Sequence, residues 1–424
     1  MTEDFLQFIW KYGLFDRDGM ITDTGETVQV LGMGEHNTDA GPDFLNARIK
    51  IGNTTWAGNV ELHLRSSDWV NHRHHTDRAY DNVVLHVVYL RDHVVKRSSG
   101  EIVHTAALHL DDNLYENYSE LLSRRDWLPC RDKILRVDPF LFDLWLNSLV
   151  VERLQQKADY ISGLLDQYKN NWEEAFYVGL ARSFGFGLNA APFELMARSV
   201  PLLHLSRNRN DPFRVEAILM GQAGFLEEAK LFSGYYEALR TEYLYLRKKY
   251  GLKSIEKHLW KFLRLRPVNF PTVRIAQFAS LLAGAEGLFS RVLECDEIGK
   301  LHRIFDVRAS SFWDDHYTFE AASPVKVKNL GTEAFQIVVI NAVVPFLFVY
   351  GQRTGGEEYK ERALEWLNQL PPEQNRVVTR WSLAGIKPVS AFYSQGMLQM
   401  ANSYCSRKRC LACSVGTSII TGKK

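Results

Sequence analysis

Residues 41–64 read GPDFLNARIKIGNTTWAGNVELHL, two β-rich runs on either side of Gly52-Asn53-Thr54. Gly-Asn between apolar runs is a hairpin signal, because both residues tolerate the backbone angles of a tight turn. Asp43 to Ile51 is then one strand and Thr55 to Leu64 the next, with Val60, Leu62 and Leu64 alternating against Glu61 and His63. With the turn at 52–54, pairing residue numbers sum to roughly 106, which sets Asp43 opposite His63 and Leu45 opposite Glu61. Asp43, Glu61 and His63 are expected on one face, since side chains alternate along both strands.

The flanking sequence extends this hairpin into a mixed sheet. Upstream, Phe5, Phe8 and Ile9 recur at helical spacing within 3–14, and Thr27 to Leu31 is a β-rich run between Gly25 and Gly32. Downstream, residues 68–81 are polar and rich in histidine, a short helix or structured loop, and Asn82 to Leu90 is apolar enough for a central strand. Glu101 to Leu110 gives one further strand. Beyond residue 115 the pattern changes: segments 139–166, 171–184, 224–249 and 255–264 carry helical spacing, with breaks at Pro201, Pro212, Pro267, Pro271 and Pro371. The fold class is α+β. The expected domains are 1–115, an α/β domain, and 116–424, a mainly α-helical domain that ends in a cysteine cluster.

Two carboxylates that converge repel each other unless a cation lies between them, and hard divalent ions such as Mg²⁺ or Mn²⁺ take oxygen-rich sites. Asp43 and Glu61 are therefore candidate metal ligands. The ion would polarise a phosphoryl oxygen and lower the pKa of a bound water, with His63 as base or charge stabiliser. The alternative is a solvated sheet face, on which Asp43 caps the strand entrance and Glu61 pairs with Arg48 or Arg65.

The order helix, strand, strand opening on Pro-Asp, strand ending in Glu-x-His, helix, strand resembles the PD-(D/E)XK nuclease superfamily. Asp43 and Glu61 match its two acidic positions, and His63 stands where that superfamily usually has lysine. The resemblance implies a nuclease-like mixed sheet flanked by helices and metal-dependent hydrolysis of DNA or RNA; a nuclease fold that has lost cutting and serves as a nucleic-acid-binding or scaffold protein is the alternative. In some branches the helix after the third strand adds polar residues to the site, which singles out His72 and Tyr80, with Thr76 on the same helical face. Nearly the whole chain is also similar to an uncharacterised bacterial family, number 2851 of the domain-of-unknown-function series. Gly-Pro-Asp-Phe at 41–44, Gly-Asn-Val-Glu-Leu-His at 58–63, Asp68-Trp69, Leu85-His86-Val87-Val88 and the C-terminal cysteines carry that likeness, which implies no established activity.

The histidine tract of His72, His74 and His75 also admits a separate transition-metal site, or a surface cluster of solvated imidazoles. Glu35, His36, Asn37 and Asp39 are placed at the mouth of the site. Of five cysteines, Cys405, Cys410 and Cys413 crowd together, one ligand short of a tetrahedral thiolate site. Cys130 is the chosen fourth, for zinc or an iron–sulfur cluster; free cysteines packed as small hydrophobes are the alternative.

The chain has 424 residues, a formal charge of +1, 46% hydrophobic and 24% charged residues. Such a composition argues against a disordered or fibrous chain. A neutral total leaves nucleic-acid binding to local patches. Lys248, Lys249, Lys253, Lys257, Lys261, Arg264 and Arg266 interleave with Tyr250, Trp260 and Phe262, a mixture suited to phosphates and bases. Arg207, Arg209 and Arg214 form a second patch, and Arg407-Lys408-Arg409 a third. No basic leader or long uninterrupted apolar run stands out, so a cytoplasmic protein with no membrane segment is expected, its oligomeric state open.

Overall fold

Thr2 caps the first helix, α1 (Glu3–Tyr12), by accepting the Phe5 N–H, and Gly13 closes it in the left-handed conformation. Its apolar stripe, Phe5, Leu6, Phe8, Ile9 and Trp10, is fully buried. In the computed structural model, which describes residues 1–228 and 234–422, this helix packs on a seven-stranded sheet. The chain divides into two compact units, Met1–Trp145 with Met400–Lys424, and Leu146–Gln399. The boundary expected at residue 115 falls within a helix of the first unit, Asp112–Ser123.

The strands are β1 (Met20–Ile21), β2 (Thr27–Gly32), β3 (Glu35–His36), β4 (Phe44–Ile51), β5 (Thr54–Arg65), β6 (Val83–Leu90) and β7 (Thr105–Ala107). Their order is β1-β2-β4-β5-β6-β7, with β3 paired to β4. The strands through β5 pair antiparallel, whereas β5–β6 and β6–β7 are parallel. A bridge between Thr22 and Ala106 brings the two edges together, so the sheet nearly closes on itself. Of the run 101–110 only Thr105–Ala107 forms a strand.

The hairpin register differs from the expected one. Ile51 pairs with Thr54, so the turn is the two residues Gly52-Asn53, and a bulge between Phe44 and Ala47 shifts the register again, pairing Phe44 with Val60. Asn46 absorbs the bulge with φ 58°, a conformation asparagine tolerates better than most residues. Asp43 consequently reaches Glu61 instead of His63, and Leu45 pairs with Glu35.

The tract 68–81 is not one helix. Helix α2 (Asp68–Asn71) stops at Arg73, whose φ of 65° turns the chain, and two short 3₁₀ turns follow, His74–Thr76 and Arg78–Tyr80. The shared face expected for His72, Thr76 and Tyr80 therefore does not form. Beneath the tract Trp69, Tyr80, Val83, Val95 and Val103 make a small core of their own.

The second unit is helical. Pro139–Gln167, which begins in the first unit, and Trp172–Phe184 match expectation, the latter capped by Asn171. Of 224–249, residues 229–233 lie outside the described residues, and Gly234–Tyr250 is helix. The helix expected over 255–264 is absent, apart from a 3₁₀ turn at Lys257–Leu259. Its backbone is anchored sideways instead: the Ile255 N–H donates to Gln222 O, Asn189 exchanges two hydrogen bonds with Lys261, and Trp260 Nε1 donates to Ala223 O. Among the described residues one helical run, Thr332–Thr354, is long and apolar enough to cross a membrane; an 18-residue window of it has a mean hydropathy of 2.0 and is 78% buried inside the protein. Within it Phe346 packs edge-on against Phe176, so this apolarity contributes to the helical core.

Candidate functional site

The loop 37–42 delivers Asp43 to the sheet. Asn37 ties that loop by accepting the Asp39 N–H and donating to Ala40 O and Pro42 O, while Glu35 and His36 pair with β4. These residues shape the approach of Asp43; His36 lies beside Phe44, with ring centroids 5.1 Å apart.

The Asp43 N–H donates to Glu61 Oε2 at 3.1 Å. Both Asp43 oxygens are held: Gln7 Nε2 of α1 donates to Oδ1 at 2.8 Å and the Leu62 N–H to Oδ2 at 2.9 Å. Glu61 Oε1 faces two imidazoles, His74 Nε2 at 3.3 Å and His63 Nε2 at 3.5 Å. His63 Nε2 lies 3.1 Å from His72 Nδ1, and His63 Nδ1 lies 2.9 Å from His86 Nε2. Strand geometry accounts for most of this, since Glu61 and His63 alternate onto one face of β5 and the parallel register sets His86 beside Glu61. The kink at Arg73 does the rest by bringing His72 and His74 to the same imidazole.

Ligand atoms of His63, His72 and His74 all lie within 4.8 Å of one another. The closest separations approach the edge of about 3.0–3.4 Å that neighbouring donors span on one ion with bonds near 2.1 Å. Glu61 borders this histidine cluster through His74 and His63, and Asp43 adjoins Glu61 through its backbone N–H. The solvated-face alternative is not what the fold builds: Glu61 is only 5% exposed and turns toward histidines.

Burial, reinforced by the Glu61 charge, pushes the Asp43 carboxyl up to about 7, and burial raises Glu61 to about 8. The acid pair therefore tends to hold protons near neutrality. Burial, then the neighbouring His74 and His72, pushes His63 down to about 3, and His86 lies well below the usual histidine range for the same primary reason. His63 is a neutral imidazole. Tyr80 stacks on His74 with centroids 3.7 Å apart, and burial followed by the charges of Glu61 and Asp43 raises its hydroxyl to about 12. Tyr80 is a wall that keeps its proton. Trp69 Nε1 donates to Lys96 O, and its ring braces His74, His86 and Tyr80.

Of the residues singled out from sequence, Asp43, Glu61, His63 and His72 meet here, with Tyr80 at the edge. Glu3, Gln7, His74 and His86 were not assigned to the site. Glu3 is half-buried and interacts electrostatically with His72 and Asp43, and burial raises its carboxyl. A signal existed: Glu3 and Gln7 are four apart, hence on one face of an amphipathic helix. Cys130, Cys405, Cys410 and Cys413 lie elsewhere in the first unit and line one small cavity.

The basic residues at 248–266 lie in the second unit, where Trp260 is buried and serves packing. Several cations are engaged: Lys257 with Glu228, Arg209 with Glu286, and Arg214 with Asp211 and Glu242. Lys249 lies over the Tyr250 ring at 5.1 Å.

No curated protein and no solved structure matches this chain. Residues 3–376 match a family model, a span that takes in the acid pair and every histidine of the site. The chain belongs to the family described as protein of unknown function (DUF2851).

Proposed function

We propose that the first unit is a metal-dependent phosphodiester hydrolase acting on DNA or RNA, with one divalent ion held by Asp43, Glu61 and the histidines 63, 72 and 74. The observation that carries this reading is the cluster of His63, His72 and His74, whose ligand atoms lie within 4.8 Å of one another, bordered by the buried Glu61 and, beside it, Asp43. The order helix, three antiparallel strands, short helix, parallel strand supports the likeness to PD-(D/E)XK nucleases.

Three imidazoles beside two carboxylates favour an ion that accepts nitrogen as well as oxygen, so Mn²⁺ suits the site better than Mg²⁺. Were His63 to ligate the ion, its Nδ1, 2.9 Å from His86 Nε2, would carry the ring's proton and be oriented by that contact. Gln7 and the Leu62 N–H orient Asp43 in the same manner, leaving each oxygen a lone pair for the metal. His63 is then a ligand, since a neutral buried ring cannot supply the positive charge of a lysine. The bound ion would polarise a phosphoryl oxygen and generate hydroxide near neutral pH.

The test uses metal-stripped protein supplied with Mg²⁺, Mn²⁺ or Zn²⁺ on labelled single- and double-stranded DNA and RNA. Cleavage that needs Mn²⁺ and vanishes in Asp43→Ala and Glu61→Gln is expected; equal activity in Asp43→Ala would sink the proposal. The missing lysine charge favours a second reading, a nucleic-acid-binding protein that no longer cuts. Binding that survives Glu61→Gln, without cleavage in any metal, would select it.

A further inference from the structure

The last turn of the chain brings three cysteines back to a fourth that is 275 residues away in sequence at the nearest. Cys405 ends a π-helical turn (Met400–Cys405), Cys410 opens a 3₁₀ turn (Cys410–Ala412), and Cys413 precedes the helix Ser414–Thr421. Cys130 sits in a turn whose carbonyl accepts the Lys133 and Ile134 N–H groups. All four are buried, none forms a disulfide, and together they line one small cavity completed by Pro129, Met400, Tyr404, Arg409 and Gly416.

Four thiols facing one void are a poor arrangement for packing alone. A free cysteine behaves as a small hydrophobe and has no reason to seek three others. The sulfurs are near enough to interact: Cys130 with Cys413 and Cys410, and Cys405 with Cys130, Cys413 and Cys410. Burial raises Cys413 to about 11, against backbone N–H groups of Gly416 and Val415 that favour its thiolate. Backbone donors aimed at sulfur are what a metal-bound thiolate needs around it. The surroundings also carry compensating charge, since Lys408 lies near enough to favour the Cys410 thiolate and Arg409 lines the cavity with its guanidinium over Tyr404. Gly416 is required by the close approach: a Cβ there would lie 2.1 Å from Cys410 O.

We infer that Cys130, Cys405, Cys410 and Cys413 form a four-thiolate centre for a soft metal, a zinc ion or an iron–sulfur cluster, which clips the end of the chain to the loop around Cys130 within the first unit. Its ligands differ from those of the acid–histidine site, and three of them lie beyond the residues that match the family. The centre is closed and entirely thiolate, so its role is structural. Binding would release the thiol protons and convert four strained neighbours into ligands.

The experiment is metal analysis and absorption spectroscopy of the full chain, purified anaerobically under reducing conditions. Expected is about one zinc, or roughly four irons with a broad visible band, per chain. Cys295 lies in the second unit as an internal control. Cys295→Ser should keep the metal, Cys130→Ser and Cys410→Ser should lose it, and Gly416→Ala should lower it without removing a ligand. Should a ligand variant fail to fold, wild-type protein treated with a chelator decides: four of the five thiols should become newly reactive as metal is released. The inference is overturned if folded, reduced protein holds no zinc or iron and takes up neither, if Cys405, Cys410 or Cys413 is found in a disulfide, or if Cys295→Ser loses as much metal as Cys130→Ser. None of these readouts depends on nuclease activity or on Asp43.

Discussion

Replacing Glu61 by glutamine separates the burial of charge from the binding of a cation. In metal-free protein the carboxyls of Asp43 and Glu61 are raised to about 7 and about 8. Carboxyls raised on folding hold protons that the unfolded chain has already released, so stability is greatest in acid and falls as pH climbs from about 4.5 through 8. Each carboxyl rises by about three pKa units, which at 1.36 kcal/mol per unit is on the order of 4 kcal/mol for each acid across that window, the two protons leaving in coupled steps. Glu61→Gln removes one ionisation and relieves Asp43 of its charged neighbour. The metal-free variant should therefore be more stable than wild type at about pH 8, by roughly 2 kcal/mol, and the two should converge below about pH 5.

Metal reverses the order. An ion at 100 times its dissociation constant adds about 2.7 kcal/mol to the wild type. The increment should be largest at high pH, where no proton competes for the carboxylates. The glutamine variant should gain little. Hydrogen exchange of β5 and β6 amides in urea reads the first unit alone, with chelator and with Mn²⁺. Parallel pH profiles of the two metal-free proteins would refute the electrostatic argument; an undiminished Mn²⁺ increment in Glu61→Gln would refute the ligand assignment.

His86→Phe keeps the ring's bulk but removes the acceptor beside His63 Nδ1, and calorimetry should show Mn²⁺ binding weakened about 10- to 100-fold with cooperative unfolding retained. Trp69→Ala empties the floor beneath His74 and His86 and should cost about 3–5 kcal/mol in denaturant unfolding of the first unit. At the bulge, Asn46→Gly should be nearly neutral, whereas Asn46→Val, forced to φ 58°, should cost about 1–2 kcal/mol and displace Asp43; unchanged thermal stability of the valine variant would count against the bulge.

What the sequence conveyed of the first unit was carried by strong local signals. Alternation through Val60-Glu61-Leu62-His63 and the apolar run read over 82–90 depend on near neighbours and form as strands, and the hairpin turn forms where it was read but is one residue shorter, Gly52-Asn53. Register was not legible, because a turn of two residues and a bulge at Asn46 each shift it without altering the pattern of apolar residues. The pairing of Asp43 with Glu61 is the product of both shifts. His74 was read only within a separate metal site with His72 and His75, because helical spacing sets it off the face of His72 and Tyr80, and His86 was hidden by an apolar strand in which one imidazole reads as core. In the second unit the error at 255–264 has the same origin, since hydrogen bonds from Asn189 and Gln222, remote in sequence, outweigh local helical spacing.

If the proposed metal site holds, histidine at the position where the nuclease resemblance implies lysine would serve charge balance. A lysine at 63 would place an ammonium group next to Glu61 and within reach of any ion held by the acid pair, so that acid pair, cation and lysine would together carry one excess positive charge. A neutral imidazole contributes a lone pair and no charge. Two carboxylates and one divalent ion then sum to zero among His63, His72 and His74, in surroundings where Glu61 and His63 are almost inaccessible to water. An uncompensated charge is most costly in such a place. On the proposed reading, the same burial that keeps His63 from acting as a cation would suit it to bind one, with His86 beside its Nδ1.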